Sequence, residues 1–256
     1  MSKRSILVLF DVDGTLTVAR QRVKPAMSEL LQRLKTKACI GLVSGSDLGK
    51  VSEQMGENCL KEFDFVFPEN GLVSYQNGEL LKCENIDIFM ANKFKDQGEQ
   101  KGEEKLQEFV QFCSEYMSKL DIPMRTSNFI EKRNGLINLC PPGRAVTQSE
   151  RDTFGRFDQE NGIRKQFVQA LNDRYPDLGL RFAIGGQISI DAYPHGWDKT
   201  FCLRYVEKDF KEIHFFGDRT DEGGNDYDIY NDPRVQGHKV LSPEDTMKQL
   251  KEKFDL

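Results

Sequence analysis

Ser5-Ile6-Leu7-Val8-Leu9-Phe10-Asp11-Val12-Asp13-Gly14-Thr15 passes from an unbroken apolar run straight into two carboxylates and a glycine. A short apolar run that stops at a turn residue reads as a strand buried on both faces. Working outward, Pro25 to Leu34 reads as a helix opening with proline, Ala38 to Val43 as a second strand and Phe63 to Phe67 as a third. Strands alternating with helices predict a parallel sheet covered by helices on both faces. The same signature returns at Ile213 to Phe216.

Between these pieces the texture changes. Lys93 to Lys105 is highly charged, and its glycines and glutamines predict a solvated helix or loop. Two hairpin signals follow: Asn134-Gly135 between Phe129-Ile130 and Leu136 to Cys140, and Gly185-Gly186 between Leu180 to Ile184 and Ile188 to Ile190. Thr147 with Glu150 three positions on has the form of a capping box, which starts a helix between the hairpins. The expected fold is therefore α/β, a Rossmann-like parallel-sheet core over residues 1–83 and 188–256, with an inserted α+β cap over residues 84–187 built on an antiparallel sheet. In Gln187-Ile188-Ser189-Ile190-Asp191, strand alternation puts Ile188 and Ile190 on a buried face. Gln187, Ser189 and Asp191 share the other face, which meets either solvent or a polar ligand cleft.

Composition narrows the function. The 256 residues hold 36 Lys and Arg against 41 Asp and Glu, a net charge of −5. That balance argues against a general nucleic-acid binder, whose footprint is basic. Ile6 to Phe10 is too short for a membrane span or a signal-peptide core, so no membrane association and a cytoplasmic location are expected. The six cysteines lie far apart without a C-x-x-C pair, which points to free core thiols rather than zinc or disulfides.

The chemistry concentrates at strand ends. Asp11 and Asp13 emerge at the carboxyl end of the first strand, where open α/β sheets bind ligands. Two carboxylates this close repel and call for a cation or a shared proton, and a hard ion such as Mg²⁺ prefers carboxylate oxygen. The second strand ends in Ser44-Gly45-Ser46-Asp47, a loop able to offer N–H groups and a hydroxyl to an anion. The late strand ends in Gly217-Asp218, then Gly223-Gly224-Asn225-Asp226, and Lys199 after Trp197-Asp198 is able to neutralise phosphate charge.

Asp11-x-Asp13-Gly14-Thr15, Ser44, Lys199 and Gly217-Asp218, in that order, resemble the four motifs of the haloacid dehalogenase superfamily. More narrowly, Phe10 to Thr17, Pro68-Glu69-Asn70-Gly71, Gly185 to Ser189, Gly196-Trp197-Asp198-Lys199 and Gly223 to Asp226 resemble eukaryotic-type phosphomannomutases across essentially the whole chain. The resemblance implies interconversion of mannose 6-phosphate and mannose 1-phosphate for GDP-mannose synthesis, with Asp11 as nucleophile, Asp13 as acid/base, and Ser44 and Lys199 holding the phosphoryl group. It implies Mg²⁺ on Asp11, Asp218 and the Asp13 carbonyl, a second cation at Tyr230, Asp232 and Val235, and a sugar 1,6-bisphosphate as activator. It further implies that Arg133, Arg144 and Arg151 hold the distal phosphate, that Arg20, Ser189 and Asp191 contact substrate, and that the protein is a homodimer paired through its caps. The alternatives are a sugar-phosphate phosphatase of the same superfamily and a non-catalytic phosphosugar-binding protein.

Overall fold

The computed structural model describes residues 5–256. The chain forms two compact units, one made of residues up to Cys83 together with Gly196–Leu256, the other of Glu84–His195.

In the first unit β1 (Ile6–Phe10), β2 (Cys39–Val43) and β3 (Phe65–Phe67) are buried almost throughout, as their apolar runs require. Helix α1 (Pro25–Leu34) takes Pro25 in its first turn, where a missing N–H costs nothing, and buries Met27, Leu30, Leu31 and Leu34 at helical spacing. Helix α2 (Leu48–Met55) is capped by Asp47, whose carboxylate accepts the Lys50 N–H at 3.0 Å. The short α3 (Cys59–Glu62) leads into β3.

β4 (Val73–Gln76) and β5 (Glu79–Cys83) then form an antiparallel hairpin, so the sheet is not wholly parallel as the alternation of strands and helices predicts. Its turn, Asn77-Gly78, places both residues at positive φ, the conformation that two-residue hairpin turns favour.

The second unit begins with α4 (Ile86–Phe94) and α5 (Lys101–Ser118). Lys93 to Lys105 thus resolves into the end of one helix, a short 3-10 turn and the start of the next. Along α5, Leu106, Phe109, Cys113 and Met117 make the buried stripe. β6 (Ile130–Lys132) and β7 (Ile137–Leu139) form the first expected hairpin. Next comes α6 (Gln148–Asn161), opened by Thr147 and Glu150 in a reciprocal capping box, and then α7 (Ile163–Arg174). β8 (Leu180–Gly185) and β9 (Ser189–Pro194) complete a four-stranded antiparallel sheet in the order β6-β7-β9-β8. The sequence reading returns the chain to the core at residue 188. The structure returns it at Gly196, because β9 pairs on both sides inside this second sheet. Ile188 and Ile190 are both buried but do not share a cluster: Ile190 packs with the strands, whereas Ile188 sits in the turn against Cys140, Val146 and Phe154.

Back in the first unit, β10 (Glu212–Gly217) inserts beside β1, followed by α8 (Tyr227–Tyr230), β11 (Gln236–Lys239) and α9 (Pro243–Phe254). The finished sheet runs β11-β10-β1-β2-β3-β4-β5, parallel from β11 to β3. β1 therefore lies between β2 and β10, so Asp11, Ser44 and Asp218 follow the carboxyl ends of neighbouring strands. Among the described residues no helix is long and apolar enough to cross a membrane.

Candidate active site

The turn after β1 is held by backbone bonds from Thr15, Leu16 and Thr17 N–H to the Val12 carbonyl, and by Gly14 N–H to Thr17 O at 2.8 Å. Gly14 is required twice. Its φ is 82°, and a Cβ there would collide with the Asp218 carboxylate. The same tight turn separates the two aspartates. Asp11 is buried beneath the turn, whereas Asp13 is half-buried with Oδ1 accepting the Gln54 side-chain amide at 2.7 Å and the Arg20 N–H at 2.8 Å.

Lys199 opens a 3-10 turn, Lys199–Tyr205, that Asp198 caps through the Thr200 N–H. Its ammonium is fully buried and donates to Asp11 Oδ1 and, at 2.6 Å, to Asp226 Oδ1. Asp226 Oδ2 accepts the Arg219 N–H at 3.0 Å, which ties it to the loop after β10. Oxygens of Asp11, Asp218 and Asp226 all lie within 4.8 Å of one another.

Three buried or half-buried carboxylates therefore face one ammonium. Burial pushes the Asp11 carboxyl up to about 7, against the opposing pull of Lys199 and with further upward pressure from Asp226 and Asp218. Burial also raises Asp218, with Asp226 adding to it. For Lys199 burial works against the charge, but Asp11 and Asp226 outweigh it and the group is raised. An upward shift on Asp11 sits uneasily with a direct ammonium contact. Above about pH 7 the charged pair is the state that the contact geometry holds, and burial, more than the neighbouring carboxylates, is what raises Asp11. Asp218 Oδ1 is buried with no hydrogen-bond partner, an arrangement that costs free energy unless something positive meets it. Oxygen-only donors, excess negative charge and an orphaned carboxylate oxygen together fit a hard divalent cation.

Ser44 is buried at the end of β2, and its hydroxyl oxygen accepts the Ser46 N–H at 3.1 Å, which leaves the hydroxyl hydrogen to donate. Arg20 is exposed at φ 61° on the loop that follows the Asp13 turn. Tyr230 closes α8, while the Asp232 carboxylate is engaged by Arg234 through Nε at 2.8 Å and Nη2 at 2.7 Å. Val235 N–H is spent on the Asp232 carbonyl.

The remaining sequence-derived residues lie in the second unit, Ser189 and Asp191 on β9, Arg133 just after β6, Arg144 in the loop after β7 and Arg151 on α6. Glu131 Oε1 meets Arg133 Nε at 2.9 Å, and its Oε2 meets Arg144 Nε at 2.8 Å. Arg144 also donates to Asn138, whose amide donates to Asp191 at 2.6 Å. Burial raises the Asp191 carboxyl, partly opposed by Asn138, Arg133 and Arg144. Arg151 reaches the Arg144 carbonyl at 3.4 Å, and Ser189 Oγ donates to Gly185 O at 3.0 Å. Of the two readings open for the polar strand face, the structure thus gives Asp191 a web of polar partners rather than solvent.

Sequence reading overlooked Asp226, Gln54, Glu131, Asn138 and Arg164. Asp226 stood inside the quoted Gly-Gly-Asn-Asp, and Gln54 interrupts the buried α2 face formed by Val51 and Met55. Only Gln54 stood out, as a polar residue where an apolar one was due.

Residues 27–256 match the family model described as eukaryotic phosphomannomutase. A phosphomannomutase of Saccharomyces cerevisiae is 51% identical over 255 residues, spanning 99% of this chain and 96% of the relative. The chain belongs to the eukaryotic phosphomannomutase family. A phosphomannomutase of Dendrobium officinale is 49% identical over 249 residues, spanning 97% and 94% of the two chains. The fold is shared with a haloacid dehalogenase-like hydrolase from Bacteroides thetaiotaomicron at a TM-score of 0.60 and 14% identity, over 96% of this chain and 98% of that one. Phosphomannomutases are isomerases, so membership makes this chain an enzyme of intramolecular phosphoryl transfer.

Proposed function

We propose that this chain interconverts mannose 6-phosphate and mannose 1-phosphate through a phosphorylated Asp11 and a bisphosphorylated sugar, in the service of GDP-mannose synthesis. The observation that carries the reading is the buried Lys199 ammonium shared by Asp11 and Asp226, beside the orphaned Asp218 oxygen. Asp11 and Asp218, with the Asp13 carbonyl, would hold Mg²⁺, which when bound supplies neutralisation of phosphoryl charge.

In the first half-reaction the free hydroxyl of the sugar monophosphate yields its proton to Asp13 and attacks the phosphoryl group on Asp11, and the bond between phosphorus and Asp11 breaks to leave a bisphosphate and a free carboxylate. The bisphosphate turns around. In the second, the Asp11 carboxylate bonds to the other phosphorus, that phosphorus–sugar oxygen bond breaks, and the sugar oxygen that receives the electron pair takes the proton back from Asp13. Lys199 and the Ser44 hydroxyl hold the transferring oxygens. Asp13 suits proton transfer because its carboxylate stands apart from the acidic cluster, fixed through one oxygen by Gln54 and Arg20 N–H. Arg133, Arg144 and Arg151 would hold the phosphate that is not reacting, since a planar guanidinium engages phosphate bidentately. Arg20, Ser189 and Asp191 are the further substrate contacts. A sugar 1,6-bisphosphate primes the cycle, because unmodified Asp11 has no phosphoryl group to give.

The resemblance alone supports a cytoplasmic homodimer paired through the second unit, which sedimentation of the purified protein checks. Phosphorus NMR with Mg²⁺, mannose 6-phosphate and a trace of bisphosphate tests the chemistry. The 1-phosphate is expected. Inorganic phosphate as the sole product would overturn the mutase in favour of a phosphatase.

A further inference from the structure

Within the second unit, away from the arginines that face Glu131, a cavity of about 410 Å³ opens between α6 and the turn joining β8 to β9. Asp152, Gly155, Arg156 and Gln159 line it from one helix face, at spacings of three and four, and Gly186 and Gln187 form the opposite wall. The space exists because residue 155 has no side chain: a Cβ there would already lie 3.3 Å from Gln187 Cγ.

The walls are fixed beforehand. Arg164 is buried, paired with Asp158 at 2.7 Å, and donates to the carbonyls of Gly186 and Ser189 at 3.1 Å each, so the turn is clamped from behind. Asp152 Oδ1 is likewise spoken for, accepting the Gln148 and Gln187 amides at 3.0 and 2.8 Å. Arg156 differs. It has no hydrogen-bond or ion-pair partner among the described residues, although it acts through space on Asp152, whose Oδ1 the two glutamines already occupy. A lining of exposed polar residues, with the free planar fork of Arg156 and the Gln159 amide, favours an oxyanion. The volume exceeds what a lone phosphate fills and falls within the range of small-molecule sites, about 300 to 1,000 Å³.

We propose that this cavity is a second ligand site, taking a compact hydroxylated molecule that carries a phosphate, with Arg156 on the phosphate and Gln159 and the Gly186–Gln187 turn on the hydroxyls. The inference stands apart from the catalytic reading. Because the same turn runs directly into Ser189 and, two residues on, Asp191, an occupant here bears on the polar face of the sheet.

The test is backbone amide NMR of the full chain without Mg²⁺, so that no turnover intervenes, titrated in parallel with inorganic phosphate and with mannose 6-phosphate. Saturable shifts at Gly155, Gly186 and Gln187 are expected, tighter for the sugar phosphate than for free phosphate. Arg156→Ala should weaken both by at least about 10-fold, the loss of charge-assisted hydrogen bonds, while amides around Ser44 titrate as in the parent. Gln159→Leu should weaken only the sugar phosphate. Unmoved amides at Gly186 and Gln187, or an Arg156→Ala variant titrating there like the parent, would overturn the site. Free phosphate binding as tightly as mannose 6-phosphate would overturn the hydroxylated ligand.

Discussion

Replacing Lys199 by methionine keeps the length of the side chain and removes the ammonium from a position without solvent access. Two contacts are lost together, one to Asp11 and one to Asp226, and the carboxylates left behind lie within 4.8 Å of each other and of Asp218. Breaking a buried pair by removing one partner costs about 3 to 5 kcal/mol. For a chain of this size that corresponds to a fall in Tm of roughly 6 to 20 °C. The cost also depends on pH. In the parent, Asp11 is raised by burial to about 7 from an ordinary 3.8, so the folded state holds a proton that the unfolded state has released. Stability therefore declines as pH rises from about 4 to about 7, then levels. Without the downward pull of Lys199 the decline extends further up, so Lys199→Met should lose more relative to the parent at pH 8 than at pH 6. Mg²⁺ should restore more stability to the variant than to the parent, since the cation then meets an uncompensated cluster. Calorimetry at both pH values, with chelator and with Mg²⁺, measures all of this. A variant that melts with the parent at pH 8 in chelator would refute the charge accounting, whatever its activity.

Asp13→Asn should slow both half-reactions by about 10²- to 10⁴-fold while leaving Mg²⁺ affinity near the parent value, because its carboxylate points to Gln54 rather than to the cluster; rapid-quench kinetics and a metal titration decide. Gln54→Met, which removes the amide from Asp13 Oδ1 and Thr17, should lower kcat with little change in KM, and a shift confined to KM would count against that alignment. Arg133→Ala should increase the dependence on added bisphosphate and the share of inorganic phosphate without lowering Tm by more than a few degrees, checked by assaying both products across a bisphosphate titration. His214 Nδ1 and His238 Nε2 share a hydrogen bond at 2.8 Å, and burial lowers both, His238 to about 4 from 6.5. The unfolded chain takes up protons first, so stability should fall as pH drops from about 6.5 to about 4, and His238→Phe should flatten that limb of the Tm profile.

How much was legible follows from where each residue gets its partner. The β1 turn, α1, the capping box at Thr147 and both hairpins of the second unit depend on neighbours a few positions away, and their sequences announce them. β5 has every residue exposed, so no apolar pattern marks it, and the Asn77-Gly78 turn before it was not among the expected hairpins. The return point at Gly196 depended on which sheet β9 joins, a question of long-range pairing that alternation leaves open. At the site, Asp11, Lys199 and Asp218 were recognisable by motif. Asp226 was quoted without a role because its partners, Lys199 and the Arg219 N–H, become evident only once the loop after β10 is folded. Asn138 gave no signal at all, since its place beside Asp191 is set by pairing across 53 positions.

The insertion of β10 beside β1 has a consequence for synthesis. β1 and Asp11 leave the ribosome before the rest of the sheet, but the ammonium that meets Asp11 lies 188 positions later, and the strand that covers the other edge of β1 follows it. Through most of translation β1 is therefore an apolar strand with one unpaired edge, while the whole second unit can emerge and close on contacts of its own. Substitutions that slow or weaken the docking of β10 would then act chiefly on yield, by prolonging exposure of that edge to other nascent chains, and purified survivors would show normal turnover. Such variants separate from true catalytic ones by comparing activity per folded molecule with soluble yield at two growth temperatures.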